Sequence, residues 1–226
     1  MVAARADFLG AGHYAPVTAA VSAAARAGMG QATGSGGSVV DLGAGTGHHL
    51  AALLGELPGR QGIALDASRA ALRRAARAHP RIAAVACDVW VELPLQDATA
   101  DLVVDVFAPR NGPEIARVLS ARGVLIVVTP TDRHLNELVP VLGMLAVDTD
   151  KQARVHATLS PHLSSASRRE LEFDMALGHS DVEALVAMGP SAHHLGAEDI
   201  RRAIAKLPAE VGVTASVSVE TFVRGT

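Results

Sequence analysis

In the run Ser38-Val39-Val40-Asp41-Leu42-Gly43-Ala44-Gly45-Thr46-Gly47 an apolar stretch ends in an acidic residue and then turns on three glycines at alternate positions. A strand that must turn sharply, bring its backbone close to a ligand and start a helix at once has use for residues without a Cβ. The helix that follows would open with unpaired N–H groups facing the same place, which suits the polar end of a nucleotide-like cofactor. The spacing excludes one such cofactor class. The dinucleotide fingerprint G-x-G-x-x-G would place its last glycine at position 48, which is His48.

The pattern present, D-x-G-x-G-x-G, resembles the form used by S-adenosylmethionine (SAM) methyltransferases. Two further segments stand at the matching intervals. Gln61-Gly62-Ile63-Ala64-Leu65-Asp66 reads as the next strand and ends in a carboxylate about 20 residues past the glycines, where a ribose diol needs an acceptor pair. Val85-Ala86-Cys87-Asp88 reads as a third strand end, and Asp88 is placed to accept from an adenine amino group. Taken together, the three segments imply SAM as the cofactor.

At 226 residues, with 49% hydrophobic residues and a mean hydropathy of +0.26, the chain can bury one large α/β core. Only 3% of residues are aromatic, too few for a base-stacking surface of the single-strand RNA-reading kind. A net charge of −3 argues against holding a polyanion by bulk electrostatics alone. Arg69, Arg73, Arg74, Arg77 and Arg81 fall on one expected helix and its end, and read first as a solvated face, with an RNA contact as the other account. The single cysteine, Cys87, excludes an internal disulfide and a cysteine-based zinc site. No signal peptide and no apolar run of membrane-spanning length is visible, so a cytoplasmic protein that binds no membrane and no metal is expected.

Strand and helix patterns alternate along the chain, which predicts a parallel, doubly wound sheet. A helix over 16–27 leads through a Gly/Ser hinge at 34–37 into the first strand. Helices follow at 48–57, 68–79 and 112–119, and strands at 82–87, 101–107 and 124–129. Ser68 is a plausible N-cap, and Pro16, Pro80 and Pro113 fall at helix edges. Residues 131–168 show no strand alternation and read as an insert or lid over the site. Strands at 170–178 and 213–224, separated by helices at 181–188 and 197–206, then complete a seven-stranded, Rossmann-like class I methyltransferase sheet. The expected organisation is a helical segment over 1–37 that packs over the cofactor site, followed by the methyltransferase domain over 38–226.

Several runs are more particular than the glycine loop. They are Phe8-Leu9-Gly10-Ala11-Gly12-His13-Tyr14-Ala15-Pro16, Phe107-Ala108-Pro109-Arg110-Asn111 with Glu114 to Leu119, Thr129 to Leu135, and Met188-Gly189-Pro190-Ser191-Ala192. In these the chain resembles the RlmA-type 23S rRNA (guanine-N1)-methyltransferases from about residue 2 to its end. That family includes macrolide (tylosin-type) resistance enzymes. The resemblance implies N1 methylation of a guanine in a 23S rRNA hairpin, with a possible role in macrolide resistance; a homodimer is a possible assembly that the sequence does not decide. Family members open with a small zinc domain, and no residues precede Met1 here to supply it, which suggests a shortened chain.

The cofactor candidates are Asp41, Gly43, Ala44, Gly45 and Gly47 in the loop, Asp66 for the ribose, Asp88 for the adenine and His48 at the helix start, with His49 beside it. Through the resemblance, Tyr14 and His134 line the SAM pocket; a Tyr or His simply hydrogen-bonded in the core is the other account. Trp90 either flanks the adenine or fills the core. For the acceptor base, Phe107 and Pro109 form a wall and Arg110 contacts phosphate or base. Asp105 is either a proton acceptor or a strand-end aspartate bound to backbone. A small-molecule methyltransferase and a SAM-binding remnant without catalysis are the competing functions.

Overall fold

The computed structural model describes residues 1–29, 37–145, 147–148, 150–189 and 196–225. Seven strands form one sheet: β1 (Ser38–Leu42), β2 (Gln61–Asp66), β3 (Ile82–Ala86), β4 (Ala100–Val106), β5 (Leu119–Pro130), β6 (Leu163–Gly178) and β7 (Glu210–Arg224). Their order is β3-β2-β1-β4-β5-β7-β6. The pairs β1–β2, β1–β4, β2–β3 and β4–β5 are parallel, with Val40 opposite Ile63 on one side of β1 and Val103 on the other. Strand order reverses at β1, and in open α/β sheets the crevice past such a switch point is where ligands bind.

The helices are α1 (Val2–Gly10), α2 (Ala15–Met29), α3 (His48–Glu56), α4 (Arg69–Ala78), α5 (Gly112–Val118), α6 (Val139–Leu142), α7 (Lys151–Leu159), α8 (His179–Met188) and α9 (Ala197–Ile204). None of the described helices is long and apolar enough to cross a membrane. The chain divides into two compact units. One comprises Met1–Pro16, Pro130–Thr149 and Glu170–Val217, and the other Val17–Thr129, Asp150–Arg169 and Ser218–Thr226. The second has its core around Val40, Leu65, Val103, Leu125 and Val127, packed with Ile115, Val155, Leu159 and Phe222. In the first, Phe8, Leu138, Leu177, Val182 and Val186 are buried.

Where local signals are strong, the expected elements are found. Ser68 caps α4 by accepting from the Ala71 N–H at 3.3 Å, and Asn111 caps α5 through Glu114. Three features differ. Helix α1 precedes the expected N-terminal helix; it has no side-chain cap that a sequence could announce. Strand β5 starts at Leu119 rather than 124, where its register with β4 is irregular between Ala100 and Leu102. Residues 131–168 hold α6, α7 and the first residues of β6, which begins at Leu163 rather than 170. Residues 164–170 are exposed on the outermost strand, so no buried face imposes the apolar alternation by which a strand is recognised. Of the expected hinge only Gly37 is described; residues 34–36, like 190–192 of the last family run, lie outside the described residues.

Arg81, grouped by sequence with the arginines of α4, has a different task. Its guanidinium donates to the carbonyls of Leu57 at 2.8 Å, Arg60 at 2.6 Å and Leu54, closing the C-terminal end of α3. Arg81→Ala leaves three carbonyls without that donor and is expected to cost about 2 kcal/mol. Urea unfolding of the two proteins measures it, and a difference below about 0.5 kcal/mol would mean that water replaces the guanidinium fully.

Candidate functional site

The turn after β1 is held from three sides. Gly43, Gly45 and Gly47 all have positive φ, at +64°, +55° and +76°. A Cβ on Gly43 would stand 2.6 Å from the Ala108 Cβ, and one on Gly47 would stand 2.9 Å from the Ala75 Cα, so neither position has room for a side chain. Asp66, at the end of β2, uses both carboxylate oxygens: Oδ2 accepts from the Gly45 N–H at 2.8 Å and Oδ1 from the Ser68 N–H at 2.7 Å. The Ala44 N–H donates to the Leu65 carbonyl at 3.0 Å. The loop therefore sits on the end of β2, with α3 starting directly from Gly47.

These residues suit a ribose-bearing cofactor. Each oxygen of Asp66 accepts one backbone N–H and keeps a further lone pair for a hydroxyl. The first N–H groups of α3 have no intrahelical acceptor. Asp41 is buried, Asp88 is exposed and accepts from the Trp90 N–H at 3.0 Å, and Trp90 itself is exposed rather than core-filling. His48 is half-buried, and that burial pulls its pKa down and favours a neutral ring. The His49 Nδ1 lies 3.0 Å from the Thr18 hydroxyl.

At the end of β4, Asp105 has no exposed surface. Arg110 reaches it with two donors, Nε at 3.1 Å and Nη2 at 3.2 Å, and the Ala108 N–H donates to it at 3.2 Å. Arg110 also donates to the Ala108 carbonyl at 2.9 Å. The two residues assigned separate tasks by sequence are thus one buried ion pair that closes a turn. Between them Phe107 has a φ of +56°, rare for a bulky side chain, and both Phe107 and Pro109 are exposed.

Tyr14 and His134 meet within the other unit. Tyr14 Oη and His134 Nε2 are 3.2 Å apart, and both residues are buried. The Ser216 N–H, always a donor, points at His134 Nδ1 at 3.1 Å, so the ring hydrogen is assigned to Nε2 and donates to Tyr14. Burial raises the Tyr14 pKa and keeps its phenol protonated. Phe8 packs edge-on against Tyr14 at 5.2 Å, after a turn at Gly12 with φ of +85°.

The chain also matches known proteins. A methyltransferase-domain family model covers residues 39–123. The 23S rRNA (guanine(748)-N1)-methyltransferase of Streptomyces fradiae is 47% identical over 96% of this chain and 77% of its own length. A Micromonospora griseorubida protein, provisionally named a 23S rRNA (guanine-N1)-methyltransferase, is 49% identical over 98% of this chain and 79% of its own. The chain belongs to the 23S rRNA (guanine-N1)-methyltransferase family. Among solved structures, a SAM-dependent methyltransferase from Thiobacillus denitrificans in complex with S-adenosyl-L-homocysteine superposes with a TM-score of 0.57 at 15% identity, over 92% of this chain and 90% of that one. A Geobacter sulfurreducens counterpart gives 0.56 at 15% identity over the same shares. At that identity the likeness is one of fold, the class I methyltransferase fold.

One run that marks the family has a role its sequence does not announce. Asn111 Nδ2 donates to the Trp90 carbonyl at 3.2 Å, and Glu114 Oε2 accepts from the Leu93 N–H at 2.7 Å. Arg117 pairs with Glu114 and donates to the carbonyls of Leu93 at 3.0 Å and Leu95 at 2.8 Å. Helix α5 therefore clamps the segment after Asp88. The i,i+3 spacing of Glu114 and Arg117 was the available signal.

Burial pushes the Asp105 carboxyl up to about 6, against the opposing pull of Arg110, the Ala108 N–H and Lys151. A carboxyl whose folded value is raised binds its proton more tightly when folded. Its contribution to stability is thus full below the ordinary 3.8 and is lost as pH climbs past about 6. Relative to Asp105→Asn, which cannot titrate, the native chain is expected to be more stable at pH 4.5 than at pH 7.5, by unfolding in urea. A difference that stays flat, or grows with pH, would show that Arg110 outweighs burial.

Proposed function

We infer that this chain transfers a methyl group from SAM to N1 of a guanine in 23S rRNA. The observation that carries the reading is the 47–49% identity to guanine-N1 methyltransferases over nearly the whole chain. The glycine turn and Asp66 supply the geometry the cofactor requires. SAM, when bound, supplies an electrophilic methyl carbon for in-line displacement. The protein's task is then to hold the acceptor nitrogen in line and keep water out, tasks of orientation rather than strong acid–base chemistry.

Asp66 would hold the ribose hydroxyls through its remaining lone pairs, with Asp41, Gly43, Ala44, Gly45, Gly47 and His48 shaping the loop and helix start. Asp88 would accept from the adenine amino group, being exposed and held by the Trp90 N–H. Phe107 and Pro109, both exposed at the end of β4, form the wall for the guanine. Asp105 and Arg110 act through them as positioning residues: a carboxylate with no exposed surface cannot take a proton from a base directly, but its ion pair fixes the turn that carries the wall. Ribosomal RNA as acceptor places the reaction in the cytoplasm, and protection against a macrolide is the consequence we propose.

Mixing the chain with methyl-labelled SAM and deproteinised 23S rRNA from an unmodified strain is expected to give one primer-extension stop, at the guanine corresponding to 748 of the Streptomyces fradiae enzyme's name. Labelled product with no N1 stop would disprove the reading. Asp66→Ala is expected to weaken SAM binding about tenfold or more, in line with losing charge-assisted hydrogen bonds. Unchanged affinity would remove Asp66 from the cofactor site.

A further inference from the structure

Helix α4 carries four arginines that the cofactor site does not use. Its buried residues are Ala71, Leu72 and Ala75. At about 100° per residue, Arg69, Arg73, Arg77 and Arg74 span an arc of about 140° whose centre lies opposite that buried face. All four are exposed, and among the described residues none of the four guanidinium groups has a hydrogen-bond or carboxylate partner. From Arg69 to Arg77 the helix advances about 12 Å.

An ordinary solvated helix relieves such charge with acids three or four residues away. The chain does so elsewhere: on α9, Arg201 faces Glu198 and Arg202 faces Asp199. Helix α4 has no acidic residue in its first turn and none within its length. It places like charges at i,i+4 twice, at Arg69–Arg73 and Arg73–Arg77, against local helix stability. Arg81, which sequence alone would add to the group, is committed to carbonyls of the fold and drops out. In a chain whose net charge is −3, four unrelieved cations on one short helix form a local field of opposite sign. The helix is also rigidly joined to the cofactor loop, through Ala75 against Gly47 and Ser68 on Asp66.

We propose that the outer face of α4 is a contact surface for the phosphate backbone of the RNA substrate, with Arg69, Arg73, Arg74 and Arg77 straddling successive phosphates. The proposal rests on the reading that the acceptor is RNA, and it adds where the chain grips it. Arginine suits the task because its planar fork meets phosphate oxygens in pairs without being deprotonated. Contacts of this kind carry no sequence information; they supply affinity and register.

The test compares the full chain with the triple variant Arg73→Gln, Arg74→Gln, Arg77→Gln, with the double variant Arg73→Gln, Arg77→Gln, and with Arg201→Gln, Arg202→Gln on α9 as the control that matches the double variant in charge. Equilibrium binding to deproteinised 23S rRNA is measured across a salt series, alongside SAM affinity and circular dichroism. Neutralising three phosphate contacts is expected to make the slope of log K against log salt shallower by about 2 to 3 and to weaken binding at least about tenfold at moderate salt. SAM affinity and the α9 control should be unchanged, and KM for RNA should rise with kcat within about twofold. Equal affinity and slope in the triple variant, or no RNA binding by the native chain, overturns the proposal. So does unchanged RNA binding when binding to phosphatidylglycerol vesicles, measured in parallel, is lost, which would make the face a membrane contact. Loss of RNA binding in the triple variant, when even the native chain transfers no methyl to RNA, upholds the surface and removes the guanine-methylation reading instead.

Discussion

The close approach of the turn after β1 to its neighbours governs the rest of the site. Ala108 presses on Gly43 from the end of β4, and Ala75 presses on Gly47 from α4, each into the space where a side chain would begin. A side chain at Gly43 would push against the turn that follows β4, and one at Gly47 would push against α4. Asp66 ties the same turn to β2 by accepting from Gly45 and Ser68. Charge-assisted bonds from backbone N–H groups are short and directional, so the carboxylate is held in one orientation, as its proposed role toward a ribose requires. Preorganisation of that kind lowers the ordering cost of binding.

A second constraint sits at the end of β4, where burial of Asp105 opposes its ionisation and Arg110 favours it. A buried ion pair rarely adds net stability, because desolvating both charges offsets their attraction. Its use here is geometric. Asp105 holds the Ala108 N–H and the Arg110 guanidinium back at the strand end, and between Asp105 and Ala108 the chain turns at Phe107 with a positive φ. Such a backbone state persists only where surrounding contacts over-determine it. Asn111 and Glu114 extend the same logic to the segment after Asp88, so that both loops bordering the proposed base site hang from α5.

The parallel half of the sheet was legible because β1, β2 and β4 are buried strands ending in turn or acidic residues, and α4 has a cap that local chemistry announces. The start of β6 was not legible, since an exposed outer strand needs no alternating pattern. Among site residues, the glycines and Asp66 could be read because their roles depend on neighbours close in sequence. The pairing of Tyr14 with His134, separated by 120 residues, could be read only as two family positions, and Ser216, which fixes the histidine tautomer, carries no local signal. Asp105 and Arg110 were both nominated but with separate roles, because periodicity says nothing about which way an arginine side chain folds back.

The runs that single out this family spend most of their polar atoms inside the protein. Tyr14 is hydrogen-bonded to His134, His13 Nε2 faces Asp181 at 3.3 Å, Arg110 is folded onto Asp105, and Asn111 holds the Trp90 carbonyl. What the Phe107–Asn111 run leaves outside is apolar: Phe107 and Pro109. That division matches the chemistry of methyl transfer, which asks for alignment more than for acids and bases. It also explains why a chain with so few aromatics can serve an RNA substrate. One base needs one wall, and the grip on the rest of the RNA falls to charge rather than to stacking. In this chain the exposed, unpaired charge of α4 lies on a helix that is itself fixed to the glycine turn after β1, so RNA held there would be registered against the loop proposed to hold the methyl donor.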